Sequence, residues 1–167
     1  MTSLTRIGKP SNLDTGGTYD LLLVSTDQGY PVGKVLFKIG SEPRKITGIQ
    51  KVAQIFMKTL FTSAGSDPIH PTSGTSFPNL TTGANILNST LAFQSAVTAS
   101  IADAEAQTKD ILNSLNTDLS SQLYRVEVLS FDTATESASI KLGITTLDGE
   151  GASIAIPFPQ TDLQLYK

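Results

Sequence analysis

The apolar residues of this chain change their spacing twice, and that change restricts the fold more than any single motif. Toward the N-terminal end Val35, Phe37 and Ile39 alternate with Leu36, Lys38 and Gly40, the period of a strand with one face on a core. From Ile49 the period lengthens. Ile49, Val52, Ala53, Phe56 and Leu60 recur at three- and four-residue spacing, which makes one stripe on a helix. Phe93, Val97, Ile101, Ala104, Thr108, Ile111, Leu112 and Leu115 form a second stripe, predicting an Ala-rich helix over 85–119 with a break near Asn113 to Asn116. Alternation returns at Ile140, Leu142 and Ile144 and again at Ile154, Ile156 and Phe158. Helices grouped between strands, without βαβ alternation, give an α+β fold. The expected form is two helices packed on a small antiparallel sheet with a C-terminal three-strand meander.

Local signals set the boundaries. Tyr19 to Ser25 reads as a strand, ended by Asp27-Gln28-Gly29 and Pro31. Thr47 with Gln50 has the pattern of a capping box at the first helix, and Lys58 lies in its last turn, where the helix dipole favours a cation. The segment 62–84 carries Gly65, Pro68, Pro71, Gly74, Pro78 and Gly83 and reads as a long loop, a length that tends to be functional. Tyr124 to Phe131 reads as the first strand of the meander, followed by a turn over Asp132 to Glu136. Asp148-Gly149 is a hairpin signal, and Pro157, which has no N–H to give a ladder, marks an edge strand. The expected organisation is a flexible N-terminal arm over 1–18, a single domain over 19–158 and a tail over 159–167.

Several function classes are excluded at this level. The chain has 167 residues and 39% hydrophobic content, enough for one core. Charged residues make up only 16%, against ~25% in ordinary soluble domains. Small neutral polar residues take their place, a surface suited to close packing in an assembly. The net charge is -3, and Lys34, Lys38, Arg44, Lys45, Lys51 and Lys58 are dispersed, so no basic footprint for nucleic acid is present. Cysteine is absent, which removes disulfides and thiolate metal sites. No apolar run approaches the ~20 residues of a membrane span, and Met1 to Pro10 lacks the apolar stretch of a secretory signal.

Catalytic patterns are equally thin. His70, between Ile69 and Pro71, is the single histidine, and neither a Gly-x-Ser-x-Gly elbow nor a glycine-rich phosphate loop occurs. Glu42, Asp103, Glu105, Asp110, Glu127, Glu136 and Glu150 are scattered, with Asp103 and Asp110 read as solvated helix charges. No catalytic, cofactor or metal residue is assigned, and the expectation is a protein that is not an enzyme.

The segment 46–75 carries the most specific pattern. The stretch GIQKVAQIFMKTLF is followed by TSAGSDPIHPTSGT, in which Thr62, Gly65, Pro71 and Gly74 stand three, six and three residues apart. This resembles the contractile phage tail baseplate wedge and sheath initiator family, which includes phage protein W and a type VI secretion baseplate subunit. The order of elements is similar over residues 46–158. Two departures stand out. Ser73 replaces the family's aromatic residue, and Leu123-Tyr124-Arg125 stands where the family has Glu-Pro-Arg, so only Arg125 carries over. Glu42-Pro43-Arg44 lies before the first helix and is given no role.

The resemblance implies a structural role in six-fold rings. The implied partners are other baseplate wedge proteins, the tail sheath protein and the hub or tail tube proteins, with no nucleic acid and no membrane. It also implies assembly into a virion after synthesis in the host cytoplasm, with sheet edges that share strands with neighbours. The interface residues expected on this basis are Ile49, Val52, Phe56, Leu60, Thr62, Gly65, Pro71, Gly74, Arg125, Ile154 and Ile156. Two other classes compete with this one. A peptidoglycan-degrading tail lysozyme rests on scattered acids and an older family label. A small adhesin or carbohydrate-binding module sits poorly with the absence of Trp and 7% aromatic content.

Overall fold

A computed structural model describes residues 20–21, 23–26, 36–39, 45–81, 90–115, 117–133 and 137–159. The arm expected over 1–18 and the tail beyond Pro159 lie outside them.

The first helical stripe forms α1, Gly48–Phe61. Its N-terminus is not held by the expected capping box. Thr47 takes the extended cap conformation but makes no side-chain cap hydrogen bond. Instead Gly48, at φ +57°, donates its N–H to Ser121 Oγ at 3.1 Å. A residue 73 positions away satisfies the first turn, so local sequence could not reveal the cap. At the other end Thr62 closes the helix: its N–H reaches Thr59 O at 3.3 Å and its Oγ1 donates to Lys58 O at 2.7 Å.

The predicted loop over 62–84 contains a short helix, α2, Phe77–Thr81. Phe77 is buried and meets the Phe61 ring edge to face, with centroids 5.3 Å apart. The second stripe forms α3, Thr90–Ser114, shorter than expected; residues 82–89 fall outside the described set. The helix stops where the Asn-Ser-rich break was expected, and a 3₁₀ turn, Leu119–Ser121, leads into the sheet. Val97, Ile101, Ala104, Thr108 and Leu112 are buried as read, but Ile111 and Leu115 are not: they are 39% and 46% exposed. Each step along a helix turns ~100°, so Ile111 leaves the face that Leu112 occupies.

The meander is present as β5, Leu123–Thr133, β6, Ser137–Thr146, and β7, Gly151–Pro159, antiparallel in the order β5-β6-β7. β5 runs two residues into the expected turn, with Asp132 opposite Ser139 and Thr133 opposite Ala138, and residues 134–136 lie outside the described set. The Asp148-Gly149 hairpin forms as read: Gly149 sits at φ +89°, and Thr146 donates its N–H to Glu150 O at 2.9 Å. The strand expected over Tyr19 to Ser25 is divided. β1, Asp20–Leu21, pairs with β4, Lys45–Ile46, while β2, Leu23–Thr26, pairs with β3, Leu36–Ile39. β4 is only two residues long and carries no periodicity to read.

The fold is therefore α+β. α1 lies on β6 and β7, α3 lies on β5, and the two helices pack on each other. Their apolar faces meet the inward side chains Leu123, Ile140, Leu142, Ile144 and Ile156 in one core. That leaves the 62–76 loop at the helix side and the two sheet edges as the parts aimed away from the core.

Candidate assembly interface

The 62–76 loop is built like a clasp. Its neck is a parallel bridge between Ser63 and Thr75, where Ala64 N–H donates to Thr75 O at 3.0 Å and Thr75 N–H to Thr62 O at 2.8 Å. Such a close approach needs glycine at position 74. Gly74 lies at φ +92°, and a Cβ there would stand 2.6 Å from Thr62 O and 2.8 Å from Ser63 O. The Gln107 side chain, on α3, grips the same residue from outside. Its Oε1 accepts the Gly74 N–H at 2.8 Å and its Nε2 donates to Gly74 O at 2.9 Å. Thr75 Oγ1 ties the neck to α1 through Leu60 O at 2.8 Å, and Ser76 and Ser100 pair at 2.9 Å.

Beyond the neck the tip folds on its own polar groups. Asp67 Oδ1 accepts N–H bonds from Ile69 at 2.8 Å and His70 at 3.3 Å, an Asx-type turn. The bonds from Ile69 and then His70 hold the Asp67 carboxyl below its usual 3.8. His70 Nδ1 lies 3.4 Å from Asp67 Oδ2, and Ser73 donates both N–H and Oγ–H to His70 O. Ile69, at the apex, is 79% exposed.

The sheet edges differ from each other, and one hydrogen bond fixes how. Val126 N–H, on β5, donates to Glu105 Oε2 on α3 at 3.2 Å, so it points away from β6. In an antiparallel ladder successive residues point to opposite sides. Arg125 and Glu127 therefore bond toward Thr145 and Gly143, and the even-numbered residues of β6 bond toward β7. The backbone agrees: Leu147 N–H reaches Gln122 O toward β5, while Thr146 N–H reaches Glu150 O on the β7 side. Ile144, Leu142 and Ile140 then pair with Ala152, Ile154 and Ile156. Gly151, Ser153, Ala155, Pro157 and Pro159 are left pointing to the outer edge. The two prolines fall where no ladder donor is required. Among the described residues no strand pairs with that edge.

The expected interface residues divide into three groups. Ile49, Val52, Phe56, Leu60 and Ile156 are buried in the chain's own core and present nothing to a partner; Ile154 is half-buried against it. A helical stripe reports burial, and here the burial is internal. The loop anchors are brought together: Thr62 and Gly74 at the neck, Gly65, at φ +76°, and Pro71 on the exposed arch. Arg125 is exposed on the outer sheet face, paired with Glu127 Oε1 at 2.8 Å and lying 5.8 Å from the Tyr124 ring centroid. Asp103 and Asp110 are both exposed on α3. Among the described residues no three His, Asp or Glu side chains group as metal ligands, and no helix is long and apolar enough to cross a membrane.

Sequence reading missed Gln107, Glu105 and Ser121, whose partners are all more than twenty positions away. Pro157 was the signal for the β7 edge that the sequence did carry, and β7 is an outer strand of the meander. No protein-family model, curated protein or solved structure matches the chain.

Proposed function

We propose that this chain is a structural subunit of a contractile phage tail baseplate, joining wedge proteins and initiating sheath assembly. The observation that carries the reading is the unequal sheet: among the described residues no strand pairs with the outer edge of β7, which has outward N–H groups on Gly151, Ser153 and Ala155, ended by Pro157. Such an edge accepts an incoming strand through main-chain bonds. The clasped loop supports it as a second surface, since its neck is fixed to both α1 and α3 while its tip touches solvent. Neither surface needs a reacting side chain. The sheath protein is the proposed strand donor, wedge proteins and the hub or tube are the other neighbours, and the ring has six-fold symmetry in the virion.

The test uses the full chain mixed with the sheath and wedge proteins of the same particle, followed by size-exclusion chromatography. Ser153→Pro removes one outward donor and leaves the β6 ladder intact. The parent should co-elute with the sheath protein, and Ser153→Pro, folded by circular dichroism, should not. Equal co-elution of both, or of neither, overturns the reading.

A further inference from the structure

We infer that Glu105 guards the Arg125 to Val128 stretch of the β5 edge and so favours strand addition at β7. This rests on the proposed function for its use, but not for its geometry. β5 is interrupted by register shifts between Leu123 and Arg125 and between Val128 and Ser130. Each is a bulge, which bends the strand and spoils regular pairing. Two short stretches pair regularly, Arg125 to Val128 and Ser130 to Thr133, and in the first the ladder parity turns two N–H groups outward, those of Val126 and Val128. Glu105 Oε2 takes the first of these at 3.2 Å.

The carboxylate is itself held in place. Lys109 Nζ, one helical turn on, donates to Glu105 Oε1 at 2.6 Å, so one oxygen faces the lysine and the other faces the strand. The Glu105 side chain is only 20% exposed. A charged acceptor set against a strand makes an incoming carbonyl repel rather than pair, since both want the same N–H. With the guard removed, antiparallel pairing about Val126 would set Arg125 of one copy opposite Glu127 of the other, so Arg125 to Val128 is a short self-complementary window. The occupant it then admits is a second copy of this chain, β5 against β5, antiparallel across a two-fold axis.

Purified full-length protein without any partner tests this. Glu105→Ala should stay folded, its Val126 amide should exchange with solvent about tenfold faster, and it should dimerise at concentrations where the parent does not. Glu105→Gln keeps an acceptor oxygen and should retain most of the protection. Should Glu105→Ala not fold, Lys109→Ala gives the answer, because it frees the carboxylate without removing it, and Val126 exchange should again rise. Unchanged Val126 exchange in the folded variants, or a Glu105→Ala protein that remains in the parent's association state, overturns the inference. Because no sheath protein is present, failure here leaves strand addition at β7 untouched.

Discussion

Replacing Gly74 by alanine should damage this protein far more than the same change at its other positive-φ loop glycines. An L-residue forced into the left-handed region costs ~1–2 kcal/mol. That is all Gly149→Ala should cost, since nothing lies within 4 Å of its added Cβ. Gly65→Ala should be similar, its nearest neighbour being Pro71 O at 3.9 Å. At Gly74 the new carbon would stand 2.6 Å from Thr62 O and 2.8 Å from Ser63 O, backbone atoms with no rotamer to turn away. The neck must open. The bonds at risk are Ala64 to Thr75, Thr75 to Thr62 and the two from Gln107. Losing two of them adds ~1–3 kcal/mol, so the total is about 2–5 kcal/mol. Urea unfolding followed by far-ultraviolet circular dichroism, extrapolated linearly, measures all three variants on one scale. A Gly74→Ala protein within ~0.5 kcal/mol of Gly149→Ala would refute the clasp.

Three further outcomes are expected. Phe56 is fully buried between the helices and the sheet, so Phe56→Ala should lose ~3–5 kcal/mol; melting like the parent would show that the ring is not in the core. Thr108 Oγ1 is buried with no hydrogen-bond partner, so Thr108→Val should raise stability by ~1 kcal/mol, and a loss would mean the hydroxyl is in fact satisfied. Asp148 is held below its usual 3.8 mainly by the Thr146 hydroxyl and next by the Glu150 N–H, as Asp67 is by Ile69 and His70. A depressed carboxyl adds stability that is whole above its unfolded value and fades as the pH falls through its folded one. The stability gap between the parent and Asp148→Asn or Asp67→Asn should thus shrink below about pH 3.8; a gap that widens on acidification contradicts these bonds.

What the sequence made legible was whatever depends on local period. The stripe on α1 ends at Leu60 and the helix at Phe61, and the alternation at Ile140, Leu142 and Ile144 lands inward on β6. Turn chemistry was also local enough to read, as at Asp148-Gly149. Failures came where the deciding partner is remote. Thr47 looked like a cap because its spacing to Gln50 fits, yet Ser121 supplies the oxygen. Ile111 and Leu115 looked like core because they are apolar, although both are exposed while Leu112 is buried. The loop anchors were visible as a pattern. Their cause, a neck too narrow for a Cβ and gripped by Gln107, required the fold. The apolar residues first placed at an interface proved to be the interior, because burial in a helix pattern does not say whose atoms do the burying.

What lies beside β7 in the assembled particle is the deciding observation. A cryo-electron map of the assembled tail, at a resolution that separates strands, should show six copies of this chain around the axis. Each should have a neighbour's strand bonded to Gly151, Ser153 and Ala155, and β5 should remain against Glu105. A map in which β7 faces solvent in every copy, or in which the added strand sits on β5, would contradict it.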